Sequence, residues 1–237
     1  MANGTIDFFN PSSGISVDAS WTFQNGGDIE TETTRNAELG SSGDELASAL
    51  SAKRSSTSFI FLHSGSGQTL VIPAAGTVSN GWHFDSVSIS WSRDQMRPKM
   101  TVACHRHDNG NNHATGSCRT YASSLAAIPV VAFGVPSSFG AAFALDAHAV
   151  VDLRSATYTL ECTHVDENGR DGTELAGDNH DGRETLQVEL TGSVTADDYV
   201  STWDCTSAGN SPVNTGATAS SFTFEHHVAH TTESAGE

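Results

Sequence analysis

The sequence predicts a mostly β protein, an antiparallel β-sandwich or β-barrel-like domain with one short peripheral helix. Three features of the 237-residue chain support this class: short alternating segments recur, turns rich in glycine separate them, and a single short segment has a helical pattern. The clearest alternation is FDSVSISWS at residues 84–92, where Val87, Ile89 and Trp91 share one face of the predicted strand.

The N-terminal part of the chain has the pattern of a hairpin followed by an extended segment. Residues 5–9 (TIDFF) and 17–23 (VDASWTF) are typical of strands, and a connection that contains Pro and Gly joins them. IETETTR at 29–35 alternates, and it is either a third strand or part of an arm. The long polar stretch 24–43 is predicted to be an extended arm that reaches a neighbouring subunit.

The predicted helix lies in SSGDELASALSAK, residues 41–53. Ser42 and Glu45 have the spacing of a capping box, in which each side chain bonds the backbone of the other residue. Leu46 and Leu50 are four residues apart and would share one face of a helix. A helix this short needs a sheet to pack on.

Most of the remaining chain is predicted to form strands. Residues 84–107 have the pattern of a hairpin, a long polar loop is expected at 167–183, and the alanine-rich segment 121–151 fits a buried connection, two short strands or a short helix. The predicted strands after the helix are 57–63, 68–72, 84–92, 99–107, 155–166, 184–194 and 221–227.

The domain organisation that follows is one β domain at residues 1–195 and a C-terminal extension at 196–237 that carries a terminal strand. Apolar positions of the same parity define the expected core, because alternate residues of a strand share a face. The predicted core residues are Val87, Ile89, Trp91, Val102, Leu160, Leu186, Val188 and Leu190.

The composition excludes a nucleic-acid reader. The net charge is −17, from 28 acidic against 11 basic residues, and Lys53 and Lys99 are the only lysines. Such a chain repels nucleic acid and anionic membranes, and the acidity also suits plain solubility or a salt-adapted host. No apolar run reaches the roughly 20 residues of a membrane helix. The N-terminus has no basic region followed by an apolar stretch, so we expect no signal peptide.

The stretch CHRHDNGNNHATGSC at 104–118 is the most ligand-rich part of the chain. It lacks the tight cysteine pairs of a structural zinc site, and strand parity turns His105 and His107 away from Cys104. A composite zinc site of Cys104, Cys162, His164 and His226 remains open if their strands are neighbours, as does a Cys104–Cys118 disulfide.

We predict instead that the four cysteines, Cys104, Cys118, Cys162 and Cys205, are mainly reduced and free of metal. Thiol titration under denaturing conditions, with a zinc assay alongside, tests this. One bound zinc per chain would contradict it.

Other chemistries find little support. DENGRDG resembles a calcium loop, but Arg170 stands at its fifth position and Gly177 at its twelfth, so Asp178 and Asp181 remain loose oxygen ligands at most. There is no nucleophile elbow. The four tryptophans, Trp21, Trp82, Trp91 and Trp203, fit a core better than a sugar-binding platform. We therefore predict no catalytic residue, no cofactor and no metal, and the protein is not expected to be an enzyme.

An internal echo links three segments. MTVACHRHDNG (100–110) and YTLECTHVDENG (158–169) share Thr, an aliphatic residue, Cys, His, Asp and Asn-Gly in order, and FTFEHHVAH (222–230) repeats the opening. The echo favours two related hairpin modules within one domain.

The early hairpin and arm before DELASAL, the hairpin FDSVSISWSRDQMRPKMTVACHRHD and the later pair SATYTLECTHVDENG and HDGRETLQVELTGS together resemble tail tube proteins of tailed bacteriophages, over roughly residues 1–195. The resemblance implies a virion structural protein, assembled in the host cytoplasm, that forms stacked hexameric rings with other copies of itself for DNA passage. It also implies contacts with other phage tail proteins and no catalytic residues. The alternatives are a β-sandwich carbohydrate-binding module and a capsid or decoration protein.

Overall fold

A computed structural model describes most of the strands of the chain. The first predicted strand (5–9), residues 130–150 of the alanine-rich segment and Trp203 lie outside the described part. The described residues are 15, 17–26, 29–64, 69–95, 97–107, 118–125, 128–129, 153–168, 174–195, 204–208, 211–212 and 218–229.

The described residues form antiparallel strands without a helix, which confirms the mostly β class. The strands are β1 (Trp21–Gly26), β2 (Glu30–Leu39), β3 (Glu45–His63), β4 (Thr69–Leu70), β5 (Val78–Ser79), β6 (Trp82–Ser92), β7 (Lys99–His107), β8 (Ile128–Pro129), β9 (Leu153–Asn168), β10 (Glu174–Thr195), β11 (Asp204–Ala208), β12 (Ser211–Pro212) and β13 (Thr218–His227).

One large sheet contains eleven of these strands. Its order is β1-β3-β7-β6-β9-β10-β13-β11-β12, with β2 also paired to β3 and β5 to β6, while β4 and β8 form a separate pair. The predicted hairpin at 84–107 is confirmed as β6 and β7. The terminal strand predicted in the C-terminal extension is β13, and it pairs with β10 inside the same sheet.

The predicted helix at residues 41–53 is wrong, because this segment forms the turn before β3 and the first half of that strand. Ser42 does not cap a helix, and its hydroxyl donates to the Asp44 carboxylate at 2.6 Å in the turn. Gly43 has a φ of 83°, which suits glycine, and its amide donates to the Gly40 carbonyl. The helical preference of one short segment is weak, and pairing with β2 from Glu45 to Ser56 overrides it.

The predicted polar loop at 167–183 is also too long. Strand β9 continues to Asn168 and β10 begins at Glu174, so much of the polar stretch extends this hairpin. Register shifts between Glu174 and Ala176 and between His180 and Arg183 interrupt the pairing. Polar residues can occupy these positions because ladder hydrogen bonds, which any residue but proline can complete, hold the hairpin together.

The core lies on one face of the large sheet. All eight predicted core residues are buried, with exposed fractions of 3% or less. Leu70, Ala75 and Tyr121, from segments outside the large sheet, belong to the same cluster. The period-2 patterns therefore identified the inward face of each of these strands correctly.

Strand β3 and its partner β2 extend beyond the rest of the sheet. Strand β7 pairs with β3 only from Arg54 to Leu62, whereas β2 pairs with β3 from Ser56 back to Glu45. Residues 33–53, which we call the ribbon, therefore contain two strands that pair with each other and with no other described strand. Nine residues of β3 in the ribbon span about 30 Å. The predicted arm at 24–43 contains the end of β1 and all of β2.

The echoing segments lie on either side of β6 in equivalent registers. Val102 of β7 and Leu160 of β9 are both opposite Val87 of β6, and Met100 and Tyr158 are likewise both opposite Ile89. The shared Thr–aliphatic–x–Cys pattern thus lies on the two strands that flank β6, and its aliphatic residues meet in one layer of the core.

Candidate metal centre

A register shift in β6 brings two histidines side by side. The pairing with β7 shifts between Phe84 and Ser86. Phe84 and Val87 face the same core although they are an odd number of positions apart, which a strand achieves across a bulge. Beyond the bulge, His83 is opposite His105, and their rings stack with centroids 5.0 Å apart and an interplanar angle of 8°.

Two more histidines complete a compact group. His107 shares a face of β7 with His105, and His164 comes from β9 on the other side of β6. The ring centroids of all six pairs lie between 4.8 and 6.1 Å apart. His83, His105 and His107 are at most 3% exposed, and the His164 side chain is 3% exposed. We call these four residues the histidine cluster.

The hydrogen bonds of Asn179 determine the tautomer of His164. The Asn179 amide nitrogen donates to the Arg119 carbonyl at 2.7 Å and lies 3.4 Å from the Gly76 carbonyl, so its oxygen faces His164 as an acceptor. This oxygen is 2.7 Å from His164 Nδ1. His164 Nδ1 therefore carries a proton and donates it to Asn179.

The other nitrogen of His164 faces a carboxylate. Asp166 Oδ1 is 2.6 Å from His164 Nε2 and 3.7 Å from His107 Nε2, and the Asp166 side chain is only 10% exposed. Because Nδ1 of His164 already carries a proton, a neutral ring would turn the Nε2 lone pair toward this carboxylate. The contact is favourable only when a cation, either a second proton or a metal ion, lies between the two groups.

His105 is oriented in a similar way. Its Nδ1 is 2.6 Å from Asp85 Oδ1, and an ionised carboxylate can only accept a hydrogen bond, so Nδ1 is the donor. Its Nε2 atom is buried and has no hydrogen-bond partner among the described residues. In the neutral ring this nitrogen keeps its lone pair, which is available to a metal ion.

Residues 118–125, which we call the strap, pack beside the cluster. The Arg119 amide donates to Asp178 Oδ1 at 3.0 Å, and the Tyr121 hydroxyl donates to the Asn179 carbonyl at 3.1 Å. Burial would raise the pKa of Asp178, but the amides of Arg119 and Asn179 and the Arg119 guanidinium hold it below its ordinary value. These contacts place Cys118 so that its sulfur and one nitrogen each of His83 and His164 lie within 4.8 Å of one another.

The far end of the strap is attached to a buried carboxylate. Glu184 is fully buried, and it accepts hydrogen bonds from the Ser124 amide at 2.7 Å and from the Tyr158 hydroxyl at 2.6 Å. Burial, together with the Glu184 charge, raises the pKa of Tyr158, so the phenol keeps its proton as a donor. The strap is therefore held by β10 at both ends and by Tyr158 of β9 at its far end.

Gly182 is needed for the strap to lie this close to β10. A Cβ atom at residue 182 would overlap the ring of Tyr121. We expect Gly182→Ala to lower the free energy of unfolding by about 1–3 kcal/mol, because the ring and the strap must move. In a Tyr121→Ala background the same substitution should cost far less, which urea denaturation of the four proteins measures. Equal costs in both backgrounds would contradict this packing argument.

The composite zinc site considered from the sequence is not assembled. Strand β6 separates Cys104 on β7 from Cys162 on β9, and β10 separates His164 on β9 from His226 on β13. His164 alone of these four residues belongs to the histidine cluster. The composite site required these strands to be neighbours in the sheet, and they are not.

The described cysteines are free thiols. Cys104, Cys118 and Cys162 form no disulfide, and Cys118 donates to the Gly177 carbonyl across 3.5 Å rather than bonding Cys104. Burial and the nearby Asp85 charge raise the pKa of Cys162 to about 12, and the same two causes raise the pKa of Cys104. Both thiols are therefore protonated at neutral pH and are poor metal ligands.

Parity analysis turned His105 and His107 away from Cys104 correctly, but it did not indicate that these two histidines converge with others. They converge with His83 and His164, which other strands supply. The His-x-His spacing of residues 105 and 107 places both rings on one face of a strand, and this signal could have indicated a site. His83 carried no comparable signal, since its position depends on the bulge.

Comparisons with known proteins identify no relative: no family model, no curated protein and no solved structure matches this chain. None of the described residues belongs to a helix that is long and apolar enough to span a membrane.

Proposed function

We propose that this protein is a structural subunit of a bacteriophage tail tube, in which copies of the chain form hexameric rings that stack around the path of the DNA. The observation that carries the proposal is the ribbon, the two-stranded projection at residues 33–53. It includes residues 33–43 of the arm that the sequence predicted would reach a neighbouring subunit.

The ribbon is better suited to contact another subunit than to stand alone. A two-stranded hairpin in water is marginally stable at best, because it has too little apolar surface to bury. Leu39, next to the turn at the tip of the ribbon, is 65% exposed. A neighbouring ring would cover this leucine and add contacts along the ribbon.

The open edges of the large sheet also favour assembly. In the described part of the chain, the strand order runs from β1 to β12 without closing on itself. Unpaired edge strands offer free amide and carbonyl groups to any other strand, and proteins protect them by pairing or covering. Ring formation with identical neighbours provides such pairing in a closed and symmetric way.

The sheet face opposite the core suits a surface that DNA passes without adhesion. Among the basic residues described on it, Arg154 is paired with Glu189 at 3.1 Å and Arg183 with Glu225 at 2.6 Å, while Lys99 adds a positive charge. Short hydroxyl side chains fill much of the rest of the face, as at Ser88, Ser90, Thr157, Thr159, Thr185 and Thr223. With a chain net charge of −17, a lumen formed by this face would repel phosphates.

The carbohydrate-binding alternative loses its main candidate surface. Trp21, Trp82 and Trp91 are 6%, 2% and 3% exposed, so their rings cannot stack on a sugar. The Trp21 indole nitrogen donates to the Val71 carbonyl at 2.8 Å, and Trp82 packs edge-on against Phe59 at 5.7 Å. The other alternative, a capsid or decoration protein, can be distinguished from a tube subunit by the symmetry of the assembly that the chain forms.

Electron microscopy of the purified full chain tests the proposal. We expect sixfold rings and stacked tubes at high protein concentration, and no binding to duplex DNA at low salt, where electrostatic attraction is strongest. A monomer at every concentration, or rings of another symmetry that never stack, would overturn the tail tube proposal.

A further inference from the structure

We propose that the histidine cluster is a structural zinc site, in which Nε2 atoms of His105, His107 and His164 and a carboxylate oxygen of Asp166 bind one Zn²⁺ ion. This inference departs from the expectation, based on sequence alone, that the protein holds no metal. It concerns the interior of one chain and is independent of how the chains assemble.

The distances fit a cage that closes around an ion. One nitrogen each of His105, His107 and His164 lies within 4.8 Å of the other two. Ligand atoms on a tetrahedral zinc ion, with bonds of 2.0–2.1 Å, are about 3.3 Å apart, so a small inward movement of the rings completes the site. The Asp166 oxygen, 2.6 Å from His164 Nε2 and 3.7 Å from His107 Nε2, lies beside these nitrogens and would shift with the rings to become the fourth ligand.

In metal-binding histidines, the ring nitrogen that does not bind the metal usually donates a hydrogen bond, and two rings of the cluster make such bonds. His105 donates from Nδ1 to a carboxylate, Asp85, and His164 donates from Nδ1 to the Asn179 oxygen. Such partners fix the tautomer that leaves Nε2 unprotonated and orient the ring toward the ion. The Nε2 atom of His105 is buried and has no hydrogen-bond partner among the described residues. A zinc ion would bind its lone pair and so satisfy this polar atom.

The ligand types select zinc over the hard cations. Three imidazoles and one carboxylate suit Zn²⁺, whereas Ca²⁺ and Mg²⁺ require oxygen ligands in greater number. Burial of the rings, at most 3% exposed, leaves little access for substrate and favours a closed structural site over a catalytic one. His83 stacks on His105 at 5.0 Å and shields the site on one side.

Zinc in this position would connect β7 and β9 on both sides of the bulged end of β6. The pairing of β6 with β9 is recorded from Ser92 to Ser86 and does not reach His83. Metal–ligand bonds would thus hold β7 and β9 together at the end where the hydrogen bonds between β6 and β9 stop. The binding free energy of the ion would add to the stability of the fold.

The first test uses the full chain, purified without a polyhistidine tag. Elemental analysis after exposure to zinc and gel filtration should find about one zinc per chain, as for other structural sites. Removal by a chelator should lower the midpoint of thermal unfolding. Zn²⁺ should restore the midpoint, and Mg²⁺ should not. A protein that folds, binds no zinc and keeps its midpoint in chelator would overturn the proposal, and the Asp166–His164 contact would then be a proton-sharing pair.

Substitution of a positioning residue provides the second test. Asp85, whose side chain is 38% exposed, can be changed with little risk to folding. Asp85→Ala should weaken zinc binding by about 10–100-fold. The matched control Asp94→Ala, in the exposed turn after β6, should bind zinc like the parent. Equal zinc affinity in the two variants would contradict the assigned role of His105.

Cobalt substitution of the native chain identifies the type of the ligand atoms. Co²⁺ in place of zinc should give the visible absorption of a tetrahedral site without a strong sulfur charge-transfer band, because three nitrogens and one oxygen bind it. A strong sulfur band that Cys118→Ser removes would show that the alternative set of His83, Cys118 and His164 holds the metal, and it would overturn the ligand set proposed here.

Discussion

Shortening the ribbon is expected to abolish stacking into tubes while the sheet remains folded. The design replaces residues 33–53 with Asn-Gly. Glu32 and Arg54, the two residues that the new turn connects, are already paired across β2 and β3. Asn-Gly forms the two-residue turn that matches the twist of a hairpin. The shortened chain keeps every pairing of β3 with β7, which begins at Arg54, and with β1, which begins at Phe59.

The effect should be close to all-or-none, because in the proposed hexameric rings stacking would multiply one contact over six subunits. Electron microscopy and sedimentation measure the assembly, and circular dichroism measures the retained β structure. The point variant Leu39→Glu places a charge on the exposed apolar residue near the tip and should weaken stacking in the same direction. Val71→Glu is the matched control, since Val71 is 39% exposed and its carbonyl binds Trp21, which lies opposite His63 at the end of β3 away from the ribbon. Unchanged tubes from the shortened chain would show that the ribbon does not connect rings.

The second large effect concerns the core. Ile89→Ala and Leu160→Ala should each lower the free energy of unfolding by about 2–5 kcal/mol, because both side chains are fully buried and their removal leaves a cavity. The two residues lie on the adjacent strands β6 and β9 within one cluster. Much of the stability of a small domain would be lost with either substitution.

Urea denaturation of the shortened, unassembled chain is the suitable measurement, because tube formation would otherwise add to the apparent stability. The zinc concentration must be held constant for the same reason. Ser90→Ala is the control, since Ser90 lies between Ile89 and Trp91 on the opposite face of β6 and should change stability by less than about 0.5 kcal/mol. Losses below about 1 kcal/mol at both core positions would mean that these side chains do not fill the core.

Residues that alternate in the sequence were assigned to the correct face in the structure. The pattern of Val87, Ile89 and Trp91 needs only the period of a strand, which is a local property of the backbone. The same local logic separated His105 and His107 from Cys104. The sequence also restricted the function, because a net charge of −17 disfavours a nucleic-acid reader wherever the residues lie.

Local reasoning failed where the partner of a segment decides its structure. Leu46 and Leu50 have the spacing of one face of a helix, but a spacing of four residues is equally compatible with the period of a strand. Only the availability of β2 as a partner selects the strand, and hydrogen bonds along the whole of β2 outweigh a small helix preference. The ribbon, on which the proposed function depends, is a consequence of that long pairing.

What the sequence alone determined about this protein is its class, the inward face of its strands and its charge, because each follows from composition or from neighbours along the chain. The tertiary structure decided the ribbon and the histidine cluster. The bulge between Phe84 and Ser86 turns His83 toward His105, and the strand order places β6 between β7 and β9, so that His164 reaches the same site. Neither the bulge nor the order has a local signature, because both result from contacts between residues that are far apart in the chain.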